Sequence, residues 1–324
     1  MIEMQFLGTS AGIPSKSRNV TGLVLRLLPL KDQILVDCGE ASQHQLMRSS
    51  FSITRIKHIF ITHMHGDHTL GLPGLLASRS LLGSLEPVSV TGPVGIKKFL
   101  QDSLEATFCN LDFDLVFHEI KDGEQLESEI PGFKVSSVRL NHNIPSYAYR
   151  FEQLKPHRTF LVEKAKSLGI PEGPIYKELQ QGKRITLDDG RSYNGEDFLT
   201  EPKKPLVLIV GGDNVDPKLI YPVLKQADVF VHEATYTQGD FEKLPRKLLH
   251  STVEQVAKIA EEAKVRNLVL THFSPRYHEP SLDSFTQIKN LAKEHFSGQL
   301  FLADDLAKFE LGKPGDALKR TDTV

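Results

Sequence analysis

Six consecutive residues, His63-Met64-His65-Gly66-Asp67-His68, carry three imidazoles and one carboxylate. Neutral imidazole nitrogen with ionised carboxylate oxygen is a donor set suited to Zn²⁺, with Mn²⁺ or Fe as further choices. The run follows residues 57–62, an apolar, β-branched stretch that reads as a buried strand. A strand sends neighbouring side chains to opposite faces, whereas a loop after it can turn all four donors to one point, with Gly66 supplying backbone freedom. One loop cannot complete two metal sites. His142 follows a predicted strand at 133–140, Asp213 follows one at 206–210 through Gly211 and Gly212, and His272 follows one at 267–271. Each apolar strand delivers a ligand-type residue at its carboxyl end, where a rigid element can hold it. Ligands gathered along one edge of a sheet are also the general pattern of α/β sites.

The elements that must hold these residues alternate. Strands are predicted at 2–7, 20–28 and 34–37, with a turn at 29–32 and a short helix at 41–49. The second half reads as strand 206–210, helix 217–227, strand 228–232, helix 252–263, strand 267–271, helix 281–295 and strand 299–302. Ser251 or Thr252 is placed to cap the 252–263 helix, with Glu254 in its first turn. Residues 154–200 break this rhythm. Pro156, Pro171, Gly173, Pro174, Gly182 and the turn Asp188-Asp189-Gly190 predict a flexible inserted arm on an otherwise single domain.

Composition narrows the classes. The 324-residue chain is long enough for a sizeable core. Its 39 Lys or Arg against 41 Asp or Glu give a net −2, so no global basic field announces nucleic acid. The charge is uneven, however. Residues 154–191 hold eight Lys or Arg against five Asp or Glu, a local +3 that leaves −5 on the rest. Cys38 and Cys109 cannot build a disulfide framework or a four-cysteine zinc site. No apolar run reaches the ~18 residues of a membrane span. The start of the chain, with Glu3 and no basic stretch, does not read as a signal peptide, so the cytoplasm is the expected location.

The HxHxDH run, followed by single His, Asp and His residues, resembles the metallo-β-lactamase superfamily. Within it, four further motifs resemble the ribonuclease Z family of tRNA 3′-processing endonucleases. Residues 14–19 match the family's PxKxRN loop, His232-Glu233-Ala234-Thr235 its HEAT motif, His250-Ser251-Thr252 its HST motif, and Gly173-Pro174 the GP motif of its tRNA-binding arm. The resemblance implies an α/β fold, a four-layer αββα sandwich, with two Zn²⁺ per subunit. His63, His65 and His142 would hold one ion, Asp67, His68 and His272 the other, and Asp213 would bridge. Asp213 stands in GGDN, where the family more often has GDT. Asp37 and His232 would orient the ligands. Asp67 would act as general base, and His250, held by Glu233, would protonate the leaving 3′-oxygen. Lys16, Arg18, Asn19, Gly173, Pro174, Ser274 and Arg276 would contact RNA. The implied partners are precursor tRNA and a second copy of the chain, each arm serving the other subunit. Other hydrolases of the fold, such as thioester hydrolases, need neither the arm nor the PxKxRN and HST motifs. An RNA-binding protein with a vestigial site would not keep all seven ligands.

Overall fold

Alternate residues along the central strands enter different cores. Ile2, Met4 and Phe6 of strand Ile2–Gly8 point one way and Leu7 the other. In strand Val207–Val210, Leu208 and Val210 join the first core, while Val207 and Ile209 join a third. Such strands, buried on both faces, are the mark of a sheet covered on both sides. The computed structural model describes residues 1–28, 31–154, 156, 158–202, 204–245, 249–278 and 283–322. Among them, the main strands form an eight-stranded and a seven-stranded sheet, with a separate two-stranded hairpin.

One cluster, with Phe6, Val36, Phe60, Tyr149, Leu208 and Val231, draws on both large sheets and is the layer between them. A second packs helices Ser42–Arg48, Leu72–Leu81 and Ile96–Ala106 on the outer face of the eight-stranded sheet. A third packs helices Val253–Glu262 and Ser284–Lys293 on the other sheet. The order is therefore αββα. Strands Gln33–Cys38 and Ile56–Phe60 are parallel, as are Val207–Val210, Val229–Glu233 and Asn267–Thr271, so within each group the carboxyl ends lie along one edge.

The chain divides into two compact units, Met1–Glu152 with Leu206–Val324, and Gln153–Pro205. The second is more than the irregular segment its composition suggests. Helices Val162–Ser167 and Pro174–Gln180 and the hairpin Arg184–Thr186/Ser192–Asn194 enclose a cluster of Ala165, Ile170, Leu179, Ile185, Leu187 and Phe198. Gly173 opens the second helix at φ 146°, a conformation that favours glycine, and Pro174 takes its first position. Lys155 lies outside the described residues.

Several boundaries differ from expectation. The predicted 217–227 helix is a 3₁₀ turn, Pro217–Ile220, and a single turn, Tyr221–Leu224, because Pro222 lacks the N–H that a continuous ladder needs. Thr252 caps its helix in a reciprocal box with Gln255. The start of the predicted 281–295 helix and part of the 29–32 turn lie outside the described residues. Among the described residues, no helix is long and apolar enough to cross a membrane.

Candidate metal centre

Strand ends bring the seven predicted ligands together. His63 and His65 follow strand Ile56–Phe60, and Asp67 and His68 lie in the single helical turn Gly66–Thr69. His142 follows strand Phe133–Leu140, Asp213 follows Val207–Val210, and His272 follows Asn267–Thr271. Gly66 opens its helical turn without a left-handed φ, so the freedom expected of it is not used. The unusual backbones are Asp37 at φ 59° and His272 at φ 57°, both non-glycine residues leaving strands. Such conformations cost energy and persist where the surroundings over-determine them. Gly39 matters through space instead. A Cβ there would lie 2.2 Å from the Asp67 carbonyl oxygen, so only glycine lets this turn approach the end of strand Gln33–Cys38.

The seven expected ligands form two groups sharing one carboxylate, and a third set, Asp213, His250 and His272, overlaps them. In the first, His65 Nδ1 lies 3.0 Å from His63 Nε2 and 3.2 Å from His142 Nε2. Asp213 Oδ2 is 3.6 Å from His63 Nε2 and 3.9 Å from His142 Nε2. In the second, His68 Nε2 and His272 Nε2 are 3.3 Å apart, and Asp67 Oδ2 is 3.5 Å and 3.4 Å from them. Asp213 Oδ1 is 3.6 Å from His68 and 3.5 Å from His272. Tetrahedral bonds of about 2.0–2.1 Å separate donors by about 3.3 Å, so both groups have the spacing of a cation's donor shell.

The far side of each imidazole agrees with that reading. Thr62 donates its N–H and hydroxyl to Asp37. Its hydroxyl proton is thereby used, so the oxygen accepts from His63 Nδ1 at 3.1 Å. His68 Nδ1 donates to Asp37 Oδ2 at 2.8 Å, and His142 Nδ1 to the Leu249 carbonyl at 2.8 Å. Thr235 gives its proton to Glu233 Oε2 and accepts from His272 Nδ1 at 3.1 Å. In four of the five histidines Nδ1 is thus engaged outward and Nε2 faces the centre, the usual orientation of a metal-bound imidazole. Gly12 N–H donates to Asp67 Oδ2 at 2.9 Å. Motif reading did not assign these roles to Thr62, Thr235 and Gly12, because the contacts arise only in the folded chain.

The electrostatics follow the same geometry. Burial opposes charging His68, but Asp37, Asp67 and Asp213 outweigh it and push His68 up to about 10. Burial opposes ionising Asp67, yet His68 and His272 hold its carboxyl far below the usual range. His63, enclosed and surrounded by four other histidines, is lowered well below its ordinary value.

Beside the donors lies the HEAT–HST pair. His250 Nδ1 donates to Glu233 Oε1 at 3.2 Å. Burial opposes its charge, but Glu233 and Asp213 raise His250 to about 9. Glu233 also accepts from the N–H groups of Asn214 and Ser251, and burial does not prevent His250 from lowering its carboxyl. The His250 side chain is 17% exposed whereas Glu233 is closed off, so only the imidazole can meet a substrate. His232 touches neither donor group. Its Nδ1 donates to the Glu233 carbonyl at 2.7 Å, and its ring lies 2.8 Å from where a Cβ on Gly211 would stand.

The residues expected to touch RNA divide. Arg18 is buried. Its Nη1 donates to Thr9 and to the Ala303 carbonyl, its Nη2 pairs with Asp304 at 2.6 Å, and its plane lies over Phe285. That guanidinium anchors a loop and is closed to a phosphate. Asn19 donates to the Glu40 carbonyl, and Ser274 is buried with its N–H on the Thr235 carbonyl. Lys16 is exposed, as are Gly173 and Pro174. Arg276 is exposed and lies over the Tyr236 ring, whose centroid is 6.3 Å from that of His250.

Comparison with known proteins identifies the family. Residues 2–161 match the family model described as Anti-Pycsar protein Apyc1. That span ends before Asp213, Glu233, His250 and His272, so it covers just under half the chain and part of the centre. The chain is 42% identical over 321 residues to a ribonuclease Z of Marinobacter nauticus, across 96% of this chain and 97% of that one. It superposes on the crystal structure of human tRNase Z, short form, with a TM-score of 0.67 at 28% identity, over 96% of this chain and 99% of that one. A metallo-β-lactamase fold protein of Bacillus subtilis, 16% identical, superposes with a TM-score of 0.64 over 95% and 98% of the two chains and speaks to the fold alone. The αββα sandwich is thus a metallo-β-lactamase fold, and the chain belongs to the ribonuclease Z family of endoribonucleases.

Proposed function

We propose that this endoribonuclease removes the 3′ trailer of precursor tRNA, cutting after the discriminator nucleotide and leaving a 3′-hydroxyl on the tRNA. The observation that carries the reading is the pair of donor groups joined by Asp213, with the partly exposed His250–Glu233 couple beside them. The donor chemistry, five imidazoles and two carboxylates without thiolate, fits two zinc ions and also admits manganese. His63, His65 and His142 would hold one ion and Asp67, His68 and His272 the other, with one Asp213 oxygen for each. A bound pair of divalent cations would supply an acidified water and charge neutralisation at a phosphodiester.

The chain's own residues supply the rest. Asp67, fixed by Gly12, stays ionised and accepts a hydrogen bond from the attacking water. His250, charged at neutral pH, faces outward and donates a proton to the leaving 3′-oxygen, while Glu233 fixes the ring and the tautomer. Asp37 holds His68 directly and His63 through Thr62.

The folded unit Gln153–Pro205, with exposed Lys177, Lys183 and Arg184, is the part of the chain suited to gripping tRNA through phosphates. We further propose that the protein works as a homodimer in the cytoplasm, each unit of this kind serving the partner's centre. Mapping the 3′ end produced from a trailer-bearing precursor tests the function. A single cut after the discriminator is expected, and cuts scattered along the RNA would overturn it.

A further inference from the structure

Asn214, which stands where the resemblance leads one to expect threonine, is fully buried and bonds to the segments at Asn141, Asp216, Glu233 and Ser251. Its Oδ1 accepts from the N–H of Asn141 at 3.2 Å and of Asp216 at 3.1 Å. Its Nδ2 donates to the Asp216 carbonyl at 2.9 Å. Its backbone N–H donates to Glu233 Oε1 at 2.8 Å, and its carbonyl accepts from the Ser251 hydroxyl. Asn141 in turn accepts from Val215 N–H at 2.9 Å. The His142 loop is therefore stitched to the Asp213 loop at two adjacent points, one of them the Asn214 side chain.

We propose that Asn214 is a positioning residue that fixes the His142 loop against Asp213 and so sets the donor spacing of the His63–His65–His142 group. This rests on the metal reading above. The backbone bonds of residue 214 need no particular side chain, but the link to Asn141 does. The carboxamide oxygen stands two bonds beyond Cβ, whereas a threonine hydroxyl stands one bond beyond it and cannot also span the Asp216 N–H and carbonyl. The amide satisfies three backbone groups at once. Partners that orient metal-binding residues without touching the ion typically change affinity by about 10–100-fold when removed.

The test is zinc titration of the apo protein against a chromophoric chelator, with thermal unfolding of the apo protein measured alongside. Wild type is expected to take up two ions. Asn214→Ala is expected to lose about 10–100-fold in affinity for one of the two and to leave the other near wild type. Should the alanine variant fail to fold, Asn214→Ser replaces it with the same expectation. Retention of both affinities in Asn214→Ala or Asn214→Ser, with only the apo unfolding temperature lowered, would overturn the inference. A wild-type protein that takes up no divalent ion would instead overturn the metal reading, and this inference with it.

Discussion

His68 donates its Nδ1 proton to Asp37 Oδ2 across 2.8 Å, and Asp37 holds that oxygen in place from a left-handed backbone at φ 59°. The same carboxylate takes both protons that Thr62 offers, so one strand end sets the orientation of His68 directly and of His63 through Thr62. Asp37→Ala removes both anchors. Divalent-metal affinity is expected to fall by about 10–100-fold, measured by competition with a chelator. Unchanged affinity would show that the two rings are held by packing alone.

The His250–Glu233 pair predicts a pH profile. Because His250 is raised to about 9, it carries its proton below that pH and loses it above. A reaction that uses it as acid should therefore lose kcat as pH rises through about 9. Glu233→Gln removes the carboxylate that most opposes this loss, so the falling limb should move toward or below the ordinary histidine value of about 6.5. His250→Ala should lower kcat by about 10²–10⁴-fold with little change in tRNA affinity. A limb that stays put in Glu233→Gln would assign the titration to another group.

Arg18 gives the opposite kind of prediction. Buried, with Thr9, Ala303 and Asp304 as partners, it should affect folding before it affects RNA. Arg18→Ala leaves buried acceptors unpaired and is expected to cost about 2 kcal/mol of stability. Denaturant unfolding measures this directly. Loss of tRNA affinity at full stability would return Arg18 to the RNA surface.

Excising residues 153–205 and closing the gap with a short Gly/Ser linker should weaken binding of precursor tRNA while hydrolysis of a small phosphodiester persists. The unit has its own cluster around Leu179 and Phe198. Loss of both activities would make the unit part of the catalytic fold.

The chemistry of the centre was legible because it resides in residue types: five histidines and two aspartates standing at the ends of apolar strands. What orients them was not. Thr62, Thr235 and Gly12 are ordinary residues until folding puts a hydroxyl or an N–H beside a ring or a carboxylate. Arg18 and Asp304 lie 286 positions apart, beyond the reach of any local pattern, so a solvated loop cation and a buried ion pair looked alike. Glycine misled at Gly66, where the left-handed residues proved to be Asp37 and His272. Strand Ser146–Gln153 went unread although Tyr147, Tyr149 and Phe151 alternate with Ala148, Arg150 and Glu152 at the period of a strand. The Gln153–Pro205 unit hid its core differently, with single apolar residues spread between prolines and charges.

The most direct test of the central claim is cleavage of a trailer-bearing precursor tRNA before and after exhaustive chelation, with the new 3′ end mapped to the nucleotide. The metal-replete protein is expected to give one product ending in a 3′-hydroxyl at the discriminator, to lose that activity on metal removal, and to regain it when zinc is restored. Cleavage that continues unchanged in the stripped protein would contradict a centre built from His63, His65, Asp67, His68, His142, Asp213 and His272.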